Sequence, residues 1–374
     1  LAEAVQRWAD LFTSLSFFLC PEKTKFEINL LKTMKRLCIL LLFLSGACAF
    51  ASTPALPDTA QENRFLVLDE YAKKVPKEHE KDVKSLAGYL IIPTRSELEK
   101  ARVIYTWLAT HIKYDDAAYN RGKPGDQSTN TVLKNRRSVC EGYSNLGKDL
   151  FEYAGLQAEK VVGYSKGYSY KKGKKFKDSD HAWNAVKADG KWRLMDATWG
   201  SGYGMKVDGK LKTKPRFDPY WFDVDPKEFI FTHLPEDQQW QLLDSTVALR
   251  EFEKMPVAGD SFFKLGFNSN QVFQDVKDGR VKELTTVYDI PVPVKAVQLP
   301  YTENISKKES MDFVLESDAQ GMVLIDGKSW HSFEKNGTTF TLSHQPKHKK
   351  VMIALVKSKN SKDCSVVLRY KVKK

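Results

Sequence analysis

Cys140, His181 and Asp196 are the three residue types that nucleophilic thiol chemistry requires. In that chemistry the imidazole takes the thiol proton and the acid fixes the imidazole tautomer, so each group matters only beside the other two. Arg136, Arg137 and Ser138 precede Cys140 and Glu141-Gly142 follows it, which is not the apolar setting of a packed structural cysteine. The residues after it are periodic as a helix, so Cys140 stands at a helix start. There the free N–H groups and the dipole favour a thiolate, and can lower a thiol pKa from about 8.5 into the range of roughly 3.5 to 7.5. His181 opens His181-Ala182-Trp183-Asn184 and Asp196 opens Asp196-Ala197-Thr198-Trp199. Taken singly, His181 reads as a satisfied histidine and Asp196 as a strand-end acid; with a helix-start cysteine they read as base and orienting acid. A zinc site is the weaker reading, because these three scattered residues form no Cys-x-x-Cys or His-x-x-x-His pairing.

The elements that must bring these residues together are legible in outline. Segments 181–186 and 192–198 are rich in branched and aromatic residues and are joined by Asp189-Gly190, a two-residue hairpin signal. A two-residue turn pairs Trp183 with Asp196 and His181 with Thr198. Side chains on one face repeat every second residue, so His181 and Asp196 become diagonal neighbours within hydrogen-bond reach. Upstream, Phe65, Leu68, Ala72 and Val75 mark one helical face, and Val83, Leu86, Ala87 and Leu90 a second. A third helix follows a Ser96/Glu99 capping box, with Leu98, Ala101, Tyr105, Leu108 and Ile112 on its apolar face. The cysteine helix carries Tyr143, Leu146, Leu150 and Tyr153 and stops at Gly155. Helices first and antiparallel strands afterwards predict an α+β domain. Beyond Pro256 no helical period persists, and alternating runs at 311–315, 322–325, 351–356 and 366–372 predict a β-sandwich. The domains expected are therefore 52–255 for the catalytic part and 256–374 for the sandwich.

Three blocks also resemble a known family. Val139-Cys140-Glu141-Gly142-Tyr143-Ser144, His181-Ala182-Trp183-Asn184-Ala185-Val186 and the segment from Trp192 through Asp196-Ala197-Thr198-Trp199-Gly200 are similar to the signature blocks of the transglutaminase-like superfamily. Ala101-Arg102-Val103-Ile104-Tyr105-Thr106-Trp107 and Asp218-Pro219-Tyr220-Trp221-Phe222 point to its kyphoscoliosis peptidase type branch, over about residues 65 to 250. The resemblance implies a papain-like fold with Cys140 as nucleophile, His181 as base and then acid, and Asp196 as orienting group, and no cofactor. It implies peptide or side-chain amide chemistry through a thioester, without deciding between water and an amine as the second attacker. The carboxy-terminal strands resemble an immunoglobulin-like docking module. The alternative is a non-catalytic binding or scaffolding protein that uses the same cleft.

Around the site, the Cys140 N–H is one expected oxyanion donor, with Gln127, Asn130 and Trp107 as candidates for the second. Trp183 and Trp199 flank the base and acid and are expected either to exclude water or to pack the core. Between residues 164 and 180, Lys166, Lys171, Lys172, Lys174, Lys175 and Lys177 alternate with Tyr168, Tyr170 and Phe176. A solvated loop, or a loop at the active-site rim favouring acidic peptides, is preferred over a nucleic-acid grip. Asp115-Asp116 reads as a helix-exit turn.

The chain has 374 residues, 42% hydrophobic and 28% charged, with net charge +12. That balance excludes disorder and leaves a basic surface suited to an acidic or envelope-associated partner. Met34, Lys35 and Arg36 precede an apolar run over 37–50 that ends in small residues, the pattern of a secretory signal peptide spanning 34–51. The run is too short to cross a membrane, which takes about 20 apolar residues. Residues 1–33 read as an upstream extension, and a lipoprotein signal at Cys48 is the weaker alternative to secreted or periplasmic release. Processing leaves Cys140 and Cys364 as separate thiols in an oxidising setting. Amino-terminal mapping of exported protein is expected to find Ser52; a mature chain that retains 1–40 would rule this out.

Overall fold

The computed structural model describes residues 58–290, 292–357 and 363–373, and residues 62–374 belong to one compact unit. The signal-peptide and upstream segments lie outside the described residues. Three helices come first: α1 (Asp58–Ala72), α2 (Val83–Leu90) and α3 (Glu97–His111). The Ser96 hydroxyl accepts the Glu99 N–H at 3.2 Å, which starts α3 where the capping pattern placed it. The Glu99 carboxylate turns instead to Arg64 and the Arg95 N–H, so only half of the box closes. Short elements follow: β1 (Lys113–Tyr114), α4 (Asp116–Arg121), α5 (Thr129–Asn135) and β2 (Arg137–Ser138), with β1 and β2 pairing in parallel. Asp115 caps α4 by accepting the Ala118 N–H at 2.9 Å; it starts a helix and does not end one.

The cysteine helix is α6 (Cys140–Tyr153), ended by Gly155 at φ +81°. Tyr143, Leu146 and Leu150 are buried as their spacing predicts, whereas Tyr153 is 58% exposed. Next come β3 (Gln157–Ser165), β4 (His181–Ala188), β5 (Lys191–Met195), α7 (Ala197–Gly200), β6 (Gly202–Val207), β7 (Lys210–Pro215), β8 (Phe222–Val224), α8 (Pro226–Phe229) and β9 (His233–Pro235). An antiparallel five-stranded sheet runs β8-β5-β4-β3-β9. Helices α2, α3 and α6 bury Leu86, Trp107, Leu146 and Leu150 in one core with Ala185, Val186 and Leu194 of that sheet. The β4/β5 hairpin has the expected register, with Asn184 opposite Met195 and Ala188 opposite Lys191. The strand stops at Met195, one residue before the acid, because Asp196 turns to cap α7.

Beyond position 255 the expectation of strands alone fails. Helices α9 (Leu249–Phe252), α10 (Asp260–Lys264) and α11 (Ser269–Lys277) lie on both sides of it. The strands β10 (Thr286–Val287), β11 (Val294–Gln298), β12 (Asn304–Ser306), β13 (Met311–Ser317), β14 (Gly321–Asp326), β15 (Ser329–Ser332), β16 (Glu334–Asn336), β17 (Thr339–His344), β18 (Lys350–Val356) and β19 (Cys364–Lys373) follow. One sheet runs β10-β19-β18-β14-β15 with β12 also on β19, and the other runs β11-β13-β17-β16. Phe313, Leu315 and Phe340 from the second meet Leu324, Ile353 and Leu368 from the first in a shared core. That core also contains Phe231, Phe252, Phe263 and Phe273, so its aromatic helices join the sandwich to the five-stranded sheet.

Arg102 and Asp69 clamp α3 to α1. Arg102 Nε and Nη2 donate to the two Asp69 oxygens at 2.8 and 2.7 Å, and Thr106 Oγ1 donates to Oδ1 at 2.6 Å. Both charged residues are buried. Asp69→Ala leaves the Arg102 charge unpaired in the core and should destabilise the fold by about 3–5 kcal/mol. A lowered urea midpoint at unchanged slope is the expected readout; an unmoved midpoint would contradict the clamp.

Candidate active site

The chain before Cys140 is fixed by Gln127. Its Oε1 accepts from Ser138 Oγ at 2.6 Å and from the Val139 N–H at 3.2 Å, and its Nε2 donates to the Pro124 carbonyl at 2.6 Å. Val139 then caps α6 and places Cys140 in the first helical position, half-buried at a cleft of about 350 Å³. Gly142 sits where a Cβ would strike Ser138 Oγ and the Gln127 side chain, which accounts for glycine in Cys-Glu-Gly.

Strand β4 is bound to this helix by Asn184, three residues after the histidine. Its Nδ2 donates to the Ser144 carbonyl at 3.0 Å, and Gly147 leaves the room for it, since a Cβ there would lie 2.6 Å from Asn184 Oδ1. The helix carrying Cys140 and the strand carrying His181 are thus set against each other by one buried amide.

His181 Nε2 lies 2.7 Å from Asp196 Oδ2. Cys140 and His181 border the same cleft, and the cysteine lies near enough to the ring to act on its charge. Burial disfavours the His181 imidazolium, but the Asp196 carboxylate and then the Cys140 sulfur outweigh it and lift its pKa to about 10. The Asp196 carboxyl is completely buried. Burial alone would raise its pKa, yet His181 first and then His233 hold it well below the usual carboxylate range. Its other oxygen, Oδ1, accepts the Thr198 and Trp199 N–H groups at 2.7 and 3.0 Å.

His233 completes the shell and was not singled out by the sequence. Its Nε2 lies 3.2 Å from Asp196 Oδ2 and its Nδ1 2.8 Å from Thr232 Oγ1. Burial pushes its pKa down to about 4, so near pH 7 the neutral ring donates to Asp196 through Nε2 and accepts from Thr232. Phe229 stacks on it at 4.0 Å, and Trp199, Trp183 and Trp221 approach at 4.4, 5.1 and 5.6 Å. Trp183 and Trp199 therefore both pack against the base-and-acid pair and keep water from it. His181, Asp196 and His233 bring three possible metal-ligand atoms within 4.8 Å. Both histidines, however, already direct Nε2 at Asp196 Oδ2 within hydrogen-bond range, at 2.7 and 3.2 Å. The cluster is a hydrogen-bonded one.

The remaining candidates are placed as follows. Gln127 does not border the cleft, Asn130 is exposed on another face, and Trp107 is buried with Nε1 on Glu80 at 3.0 Å. Tyr114 does border the cleft, in register with Ser138, and its hydroxyl has no hydrogen-bond partner among the described residues. Burial and then the nearby Cys140 push its pKa far up, so it keeps its proton. The 164–180 segment reaches the rim through Lys166, Gly167, Tyr168 and Ser169, and half of its six lysines are paired with carboxylates. Lys172, Lys174 and Lys175 pair with Glu283, Asp180 and Glu253 at 2.6, 2.8 and 2.6 Å. Lys166 is buried and donates to the Phe252 and Met255 carbonyls at 2.6 and 2.8 Å, and burial lowers its pKa to about 7. Cys364 is a free thiol in β19.

The order of cysteine helix, histidine strand and acid is papain-like, and comparison points to a family in which that order recurs. Residues 84–197 match the Transglutaminase-like superfamily. Within it the relatives are of kyphoscoliosis peptidase type. Human kyphoscoliosis peptidase is 34% identical over 207 residues, covering 55% of this chain and 31% of that protein. Hillarin of Drosophila melanogaster is 32% identical, covering 54% and 26%. The chain thus spans under a third of the length of these relatives. A crystal structure of a TGase is 20% identical over 40% of this chain and 35% of that one, with a TM-score of 0.25.

His233→Phe keeps the stacking on Phe229 and removes the donor to Asp196. A lost hydrogen bond to a charged group corresponds to about 10- to 100-fold, expected as a fall in the Cys140 alkylation rate at unchanged circular dichroism. An unchanged rate would show that His233 is core packing only.

Proposed function

We propose that the protein is a cysteine hydrolase or acyltransferase that opens peptide or side-chain amide bonds through a thioester on Cys140. The observation that supports this most is the line from Cys140 through His181 to a carboxylate with no exposed surface. In this reading the Cys140 proton passes to His181 Nδ1 and the sulfur attacks the amide carbon. The Cys140 backbone N–H receives the oxyanion, and the Tyr114 hydroxyl, which has no other partner among the described residues, is the second donor. Collapse breaks the C–N bond while His181 Nδ1–H gives its proton to the departing amine. Water, or a second amine, then attacks the thioester as His181 takes its proton, and Cys140 is released. Asp196 stays ionised and holds the ring.

The substrate in this reading is a peptide or protein, met outside the cytoplasm after export through the 34–51 segment. The carboxy-terminal sandwich is read as an immunoglobulin-like module that docks it.

Incubation with a peptide library should trap an acyl adduct on Cys140 by mass mapping, and Cys140→Ala should abolish turnover. A His181 pKa of about 10 means that the imidazolium persists as pH rises and is lost only near that value, which sets the alkaline limb of kcat/KM. Asp196→Asn removes the strongest cause of the raised value and leaves burial, so the limb should move down toward neutrality. The accompanying loss in kcat should be smaller than the roughly 10⁴-fold of the equivalent change in a serine triad. An unmoved limb in Asp196→Asn, together with unchanged Cys140 alkylation in His181→Ala, would favour the binding-protein reading.

A further inference from the structure

One wall of the cleft is a hairpin whose two edges are treated differently. Asp208 and Gly209, at φ +50° and +80°, form a two-residue turn, so Val207 and Lys210 exchange hydrogen bonds. Bonded and unbonded pairs then alternate away from the turn. Gly202, Gly204 and Lys206 of β6 therefore aim their N–H and C=O groups outward, as do Leu211, Thr213 and Pro215 of β7.

The β7 edge is sealed. Asn120 Oδ1 accepts the Leu211 N–H at 2.9 Å and its Nδ2 donates to the Leu211 carbonyl at 3.0 Å, the exchange a neighbouring strand would make. Asp116 accepts the Thr213 N–H at 3.0 Å, and Pro215 has no N–H to leave open. Side chains of α4 thus stand in for a third strand. The β6 edge has no such cover, and among the described residues nothing bonds the outward groups of Gly202, Gly204 and Lys206. Proteins ordinarily cover or blunt an open edge, because it is a template for another strand.

This open edge borders the cleft that holds Cys140 and His181, which Gly202, Tyr203 and Gly204 also line. Two glycines keep side chains off one face. On the other face Tyr203, Met205 and Val207 are 38%, 40% and 45% exposed, an apolar row at strand spacing. Lys206 stands on the glycine face, whereas Lys210, Lys212 and Lys214 lie across from Val207, Met205 and Tyr203 on the apolar face; none of the four finds a carboxylate partner among the described residues.

We propose that β6 is the substrate-docking strand: an extended peptide adds to its outer edge, bonding to Gly202, Gly204 and Lys206. Its apolar side chains lie beside Tyr203, Met205 and Val207, and its acidic ones turn toward Lys206 on the opposite face. This deepens the thiol-enzyme reading and names its substrate class as an extended segment of alternating apolar and acidic residues. The acidic preference in this proposal arises from Lys206 beside the open edge, whereas Lys172, Lys174 and Lys175 of the 164–180 segment are paired with carboxylates within the protein.

The test uses the Cys140→Ala full chain and a fluorescein-labelled decapeptide of alternating Val and Glu, followed by fluorescence anisotropy. Lys206→Pro removes one outward N–H and spares the ladder to β7, since Lys206 is in an unbonded pair. Binding should weaken about tenfold relative to Lys206→Ala, which loses only the charge. Independently of any variant, the peptide should slow amide hydrogen exchange at Gly204 and Lys206 but not at Lys212, which already faces β6. Absence of saturable binding, or equal affinity of the Pro and Ala variants without protection at Gly204, would overturn the proposal. A concentration-dependent dimer that Lys206→Pro dissolves would also overturn it, by assigning the edge to a second copy. Binding with protection at Gly204, but without turnover by the Cys140 protein, would leave the docking strand standing and remove the catalytic reading.

Discussion

Everything around Cys140 depends on keeping one carboxylate charged where water cannot reach it. Burial of Asp196 would by itself favour the neutral acid, and four donors reverse that: two backbone N–H groups from the α7 start on Oδ1, two imidazoles on Oδ2. Because the acid is also a helix cap, it cannot rotate away from His181 without unwinding α7. The two histidines divide the work. His181 gains an adjacent carboxylate and sulfur and so holds a proton to high pH, whereas His233, enclosed by Phe229 and three tryptophans, stays neutral and only donates.

The rest of the fold serves the separation between sulfur and imidazole. Asn184 reaches from the histidine strand to the cysteine helix through the gap left at Gly147, so the two elements cannot slide independently. Behind the helix, the Arg102–Asp69 pair ties α3 to α1. Beside the cleft, buried Lys166 has no carboxylate and is held by carbonyls at the end of α9, with the Phe252 ring 4.2 Å away. That contact links the active-site rim to the aromatic core shared with the sandwich. The carboxy-terminal strands are therefore packed onto the enzyme-like part and are not a bead on a linker.

The cleft also shows how misleading a count of charges is without partners. The lysine-rich 164–180 segment carries the denser basic run in sequence, yet Lys172, Lys174 and Lys175 are neutralised within the protein. The quieter 202–215 hairpin carries four lysines without carboxylate partners among the described residues, Lys206 of them beside the open strand edge. Which run faces a partner is decided by where acids from distant segments fall.

The sequence by itself determined the β4/β5 hairpin register and singled out Cys140, His181 and Asp196 as one set. Asp189-Gly190 fixes a two-residue turn, and strand period two then puts His181 and Asp196 on one side, a local geometry that needs no knowledge of the fold. Helix starts at Ser96 and Cys140 were legible for the same reason. What only the tertiary structure decided was everything contributed from afar. His233 lies in an apolar run, where a lone histidine reads as core, and its bond to Asp196 appears only when β9 joins the edge of the sheet beside β3. Gln127 carries no local sign that it holds Val139, and Asp116 and Asn120 none that they seal β7. The helices after position 255 escaped notice because they are short, and their aromatic residues are buried by long-range packing that overrides periodicity. Spacing encodes contacts between near neighbours, whereas solvent exclusion and pairing across the sheet depend on which segments meet.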